Sequence, residues 1–172
     1  MTSPTADQLR EHLAYEIHYL VLAAIRFPTI GGREATIYQD SALMHARNLL
    51  EFTQPTKPKG GAWWIVEVGG STPPKETAYK EWTDFINTGA AHLGQRRVKG
   101  SNWPVDKNND RLARLSHYAL QRICDLLPTK ANDDRVEIVL VLTRLGLDYL
   151  DSPSEKTLAA IARLIDEPYQ AP

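Results

Sequence analysis

Apolar residues recur at intervals of three and four along most of this chain and almost nowhere alternate with polar ones. That period suits one face of an α-helix and not the two faces of a strand. The segment "DRVEIVLVLTRLGLDYL" (134–150) is the sharpest case. Its β-branched content suggests a strand, but on a wheel of about 100° per residue Glu137, Arg144 and Asp148 fall in one narrow polar stripe. A deeply buried helix is expected there.

The same spacing predicts a first helix from Thr5 to Phe27, with Leu9, Leu13, Ile17, Leu20, Val21 and Ala24 inward and Pro28 closing it. A second, from Ile37 to Phe52, places Ala42, Leu43, Ala46, Leu49 and Leu50 on one side. The third, from Lys75 to Leu93, aligns Trp82, Phe85, Ile86 and Gly89; it should stop by Gly94, because Arg96 would otherwise enter the apolar face. A fourth, from Asn109 to Leu127, buries Leu112, Leu115, Ala119, Ile123 and Leu126 before Pro128. The last, Ser154 to Ile165, starts on a serine suited to capping. Between helices 2 and 3, "AWWIVEVGGSTPP" is bounded by Gly and Pro pairs and reads as an ordered, non-helical insert. The expectation is an all-α bundle of five or six helices in one domain spanning 1–172.

With 172 residues, 42% of them hydrophobic, the chain has enough apolar material for one core. The single Cys124 cannot form an intrachain disulfide and falls near the apolar face of a helix, as an inert thiol would. No apolar run reaches the ~18 residues of a membrane span, and the N-terminus lacks a basic start followed by an apolar run. A cytoplasmic protein without membrane contact is expected.

The sequence carries no Walker-type phosphate loop and no dinucleotide fingerprint; "IGGRE" and "VGGST" lack the spacing. None of the five histidines sits in a His-x-x-x-His pair. No cofactor and no metal are therefore expected, although a histidine metal-binding bundle would result if His12, His45 and His92 converged. Charge is more informative. The formal net charge is -1, yet His92 to Arg122 holds seven Lys or Arg (Arg96, Arg97, Lys99, Lys107, Arg111, Arg114, Arg122) against Asp106 and Asp110. On the fourth helix Arg111, Arg114, Tyr118 and Arg122 form one stripe of guanidinium groups and an aromatic ring, read as outward-facing and suited to phosphate contact and base stacking. The alternative is a solvated face that meets an acidic protein partner in a non-catalytic interaction module. In "SALMHARNLLEF", His45 lies at one edge of the apolar arc and Arg47 at the other, four residues before Glu51, a spacing for a surface ion pair. His45 therefore reads most simply as half-buried; His92 also falls at the edge of an apolar face, and the alternative is that the two histidines meet in the interior.

On "SALMHARNLLEF" and "FINTGAAHLGQRR", over about 9–127, the chain resembles the HEPN superfamily (higher eukaryotes and prokaryotes nucleotide-binding), in particular small bacterial members with a His-Ala-Arg-Asn-Leu second helix. The remaining 128–172 would be C-terminal helices outside that core. The resemblance implies a helical bundle, often a homodimer, that binds or cleaves RNA in toxin–antitoxin, phage-defence or stress systems. Active members carry an Arg and a His separated by four to six residues. His92 matches the histidine, but Ile86, Asn87 and Thr88 stand where the arginine would be. Either the chain binds without cleaving, or Arg96, Arg97 or Arg47 supplies the cation, with His92 as base and Asn87 orienting a phosphate oxygen. Arg111 and His117 share the family's separation but diverge by roughly 120° on a regular helix.

Overall fold

The computed structural model describes residues 4–58, 62–89, 110–128 and 133–166. These form six α-helices and no strand: α1 Ala6–Arg26, α2 Gly32–Phe52, α3 Thr77–Gly89, α4 Arg111–Leu126, α5 Asp134–Asp151 and α6 Glu155–Asp166. Short 3-10 turns lie at Phe27–Thr29 and Ile65–Val68. The all-α bundle expected from the periodicity is the observed fold, and 134–150 is helical.

Helix α1 is the hub, packing against α2, α4, α5 and α6. Leu9, Ala14, Ile17, Leu20 and Val21 are completely buried along it, and each of the Leu, Ile and Val side chains contributes about 1.5–3 kcal/mol by leaving water. Its start is a capping box: Gln8 N–H donates to Thr5 Oγ1 at 3.2 Å, while Thr5 N–H donates to Gln8 Oε1 at 3.0 Å. Arg10, buried on the same helix, donates to the carbonyls of Leu164 and Ile165, the latter at 3.2 Å, and so fastens the end of α6 to α1. Cation against helix C-terminus is the favourable sense of the macrodipole. Ser154 Oγ accepts from the Thr157 N–H at 3.1 Å, the capping its position predicted.

Helix α2 begins five residues before the expected Ile37, at Gly32, whose φ of +61° suits glycine. Its first turn carries exposed Arg33 and Glu34, so no apolar periodicity announced it. Ile37 itself is 67% exposed. The expected last turn of α3, up to Leu93, lies outside the described residues.

The insert is ordered by specific ties. Ile65 and Val68 are fully buried, Gly69 at φ +95° turns the chain, and Ser71 N–H donates to the Leu126 carbonyl at 2.7 Å. Trp64 Nε1 donates to the Gln54 carbonyl at 2.9 Å, and the Trp63 ring meets His12 edge-on at 4.9 Å. The tryptophan pair thus packs the insert against the end of α2 and the flank of α1.

Candidate functional site

Helices α2 and α3 converge on a cavity of about 300 Å³ that brings together two residues singled out by sequence, Arg47 and Asn87. Tyr79, Thr83, Gln54 and Glu51 complete its polar lining. Arg47 is exposed, and no described carboxylate pairs with it, so the Arg47–Glu51 ion pair suggested by their spacing is not made. Tyr79 donates its hydroxyl to the Leu50 carbonyl at 3.3 Å, and burial raises its pKa above the ordinary phenol value. A second depression, of about 560 Å³, which Tyr79 and Gln54 also line, adds Lys75 and Lys80; Lys80 is paired with Asp84 at 2.5 Å.

The proposed stripe on α4 divides in two. Arg111 and Arg114 are exposed in its first turn, where the positive end of the helix dipole adds to their charge. The Arg111 guanidinium lies 4.1 Å over the Phe85 ring, and Arg114 pairs with Asp110 at 2.8 Å. Arg122, expected to face outward, is instead buried, 4% exposed. Its guanidinium is used within the fold: it donates to the carbonyls of Thr53 at 3.3 Å and Pro74 at 3.1 Å, pairs with Glu76, and lies 4.8 Å from the Tyr79 ring centre. Tyr118 is half-buried, its hydroxyl beside Arg122 and Glu76, and burial pushes its pKa up to about 12. The wheel could not separate these residues because α4 packs on several sides, against α1, α2 and α5.

His45 is more deeply buried than the half-buried position read from its place at the edge of the apolar arc, and its meeting with His92 lies outside the described residues. It is buried against α1, with Nδ1 2.7 Å from Glu16 Oε2, Tyr19 stacked on its ring at 5.6 Å and Tyr15 edge-on at 5.5 Å. Asn48 Nδ2 donates to both Glu16 oxygens at 3.0 Å. This cluster does not line the Arg47–Asn87 cavity. Glu16 was not singled out by sequence; the signal available was its helical spacing from His12 and Tyr19 on a face that α2 approaches.

His92, Arg96 and Arg97 lie outside the described residues. His117 is exposed, 3.7 Å from Asp151. Among the described residues no group of three His, Cys, Asp or Glu side chains is placed to hold a metal ion, and no helix is long and apolar enough to cross a membrane. Cys124 is half-buried, and burial raises its thiol pKa. Compared with family models, curated proteins and solved structures, the chain matches none.

Proposed function

We propose that the chain is a HEPN-like protein that binds RNA or a nucleotide along the α2–α3 cavity and the basic segment following α3. The observation that carries this reading is the meeting of Arg47 and Asn87 in one cavity, on the helix that leads into His92, Arg96 and Arg97. Arg47 brings a cation without a described counter-ion, and Asn87 a neutral donor, which together suit a phosphate oxygen. The two helix ends flanking the basic segment are held close by Arg111 over Phe85, so Arg111 and Arg114 extend the same positive region.

In this reading Arg47 takes the place of the arginine missing ahead of His92. If the protein cleaves, His92 accepts the ribose 2′-hydroxyl proton as that oxygen attacks the adjacent phosphate, Arg47 or Arg96 stabilises the developing phosphorane charge, and the P–O5′ bond breaks to leave a 2′,3′-cyclic phosphate and a 5′-oxygen that takes its proton from water or the protonated His92. Arg97, Arg111 and Arg114 hold backbone phosphates. Arg122 has no part in it, since the fold already occupies it, and Tyr118 is half-buried beside it.

The test is incubation of metal-free protein with labelled single-stranded RNA and tRNA, followed for both shift and cleavage, with wild type beside His92→Ala and Arg47→Ala. Cleavage lost in both variants with binding weakened in Arg47→Ala supports a ribonuclease; binding without cleavage supports a binding-only member. Absence of both at low salt overturns the reading.

A second reading has its own observation. Tyr15, Tyr19, Met44 and Ile37 are 45%, 39%, 51% and 67% exposed on α1 and α2, a set of large apolar groups suited to a protein partner or a homodimer contact.

A further inference from the structure

A second cavity, of about 280 Å³, lies between α1, α2 and the tryptophan insert. Leu13, Leu49, Phe52 and Trp63 give it apolar walls, while Glu16, Glu51, Asn48 and His12 supply its polar groups. Among the described residues its lining contains no Lys or Arg, and no described Lys or Arg pairs with Glu16 or Glu51 elsewhere. Arg47 borders the other cavity only; Glu51 borders both.

Glu16 is unlike a surface carboxylate. Its side chain is 20% exposed, and three contacts fix it: Asn48 Nδ2 to each oxygen at 3.0 Å and His45 Nδ1 to Oε2 at 2.7 Å. His45 is in turn held by the Tyr15 and Tyr19 rings. A carboxylate oriented this way has lost rotamer freedom in advance, so a ligand that meets it does not bear that cost. Oε1, which accepts only from Asn48, retains acceptor capacity beyond these bonds.

We infer that this cavity binds a small organic cation: an ammonium group on an aromatic or aliphatic body, with the charge at Glu16 and Glu51 and the body against Trp63, Leu49 and Phe52. Charge complementarity selects the class. Apolar walls alone would accept any hydrophobic molecule, but an anion would face two carboxylates with no Lys or Arg in the described lining to offset them, and a neutral body would add no charge-assisted bond to the partners Glu16 already has. The ammonium gains charge-assisted hydrogen bonds to a fixed acceptor, and the Trp63 indole offers a π face to a cation. The volume is just below the range of drug-sized sites and suits a single-ring ligand. This inference is independent of RNA binding, because it uses a different cavity and the opposite charge.

The probes are phenethylamine, 2-phenylethanol and 3-phenylpropionate, one body with three charges, titrated into the ¹⁵N-labelled full chain and read at the Trp63 indole N–H, assigned with Trp63→Phe. Phenethylamine should shift that resonance saturably and bind about tenfold or more tightly than 3-phenylpropionate, the fold-change expected for one charged hydrogen bond. Glu16→Gln and Glu51→Gln should each weaken the amine alone. Ala62→Trp, at an exposed position on the cavity wall, should fill the space and abolish all three responses while the circular dichroism spectrum stays unchanged. Equal binding of amine and acid, amine binding that survives both the glutamine and the Ala62→Trp variants, or no Trp63 shift up to about 10 mM phenethylamine, well above the millimolar affinity of the weakest useful site, would each overturn the inference.

Discussion

Arg122 in the middle of α4 donates its Nε hydrogen to the main-chain carbonyl of Thr53, the residue that ends α2, at 3.3 Å. The same guanidinium reaches the Pro74 carbonyl and Glu76 ahead of α3. One side chain therefore closes two breaks in the helical pattern, and both carbonyls lose their partner if it is removed. Glu76 is 38% exposed and can return to water; Thr53 is fully buried, so its carbonyl cannot. Arg122→Met should lower stability by about 2–4 kcal/mol, seen as a reduced urea midpoint at unchanged slope. Arg111→Ala, which loses one exposed cation–π contact, should cost less than about 1 kcal/mol. Equal losses at the two positions would mean that Arg122 does not carry this role.

The helices were legible because burial imposes a period, and a period survives in sequence without any knowledge of partners. Helix α5 was recognised from a stripe of three polar residues, of which Arg144 and Asp148 are exposed in the bundle. The start of α2 was not legible, since its first turn buries little and Ile37 points to solvent. Burial of polar residues was the harder problem. Arg122 and Arg111 look alike on a wheel, and only the loop carbonyls of Thr53 and Pro74 distinguish them. The meeting of Arg47 and Asn87, forty positions apart, depends on how α2 and α3 pack, as does the tie between Glu16 and His45. Neither leaves a spacing signature.

Gly146 on α5 is a close-approach position. A Cβ added there would lie 2.7 Å from Ile17 Cγ2 and 2.8 Å from Leu120 Cδ1, both fully buried. Neither neighbour can move into solvent, so the strain is shared by the packing of α1, α4 and α5. Gly146→Ala should destabilise by about 1–3 kcal/mol despite alanine's better helix propensity. A thermal midpoint equal to or above that of the wild type would show that the core has slack at this contact.

His18 supplies a pH dependence. Its Nδ1 is buried without a hydrogen-bond partner, its ring meets Tyr19 edge-on at 5.1 Å, and burial lowers its pKa from the ordinary 6.5. The unfolded chain then binds a proton more readily than the folded one. Stability from this residue is fully present above about pH 6.5 and falls as pH drops from there toward the lowered folded value. Thermal midpoints between pH 7.5 and 5 should therefore decline, and His18→Phe should reduce that decline. An identical pH profile in the variant would remove His18 as the cause.

Salt dependence separates phosphate contacts from structural arginines. Each phosphate neutralised on a single strand releases counter-ions, so the logarithm of affinity falls against the logarithm of salt with a slope of roughly 0.7 per contact. Arg47→Ala, Arg111→Ala and Arg114→Ala should each weaken RNA binding across sequences and reduce the slope by about that amount. Arg122→Met, measured well below its own unfolding midpoint, should leave the slope unchanged, because its guanidinium is committed to Thr53, Pro74 and Glu76. Fluorescence anisotropy with a labelled single strand between about 50 and 200 mM salt covers the range in which such contacts are lost. If Arg122→Met reduces the slope as much as Arg47→Ala does, the charge that meets RNA is not the exposed set around the α2–α3 cavity, and the assignment of Arg47 and Asn87 to phosphate fails.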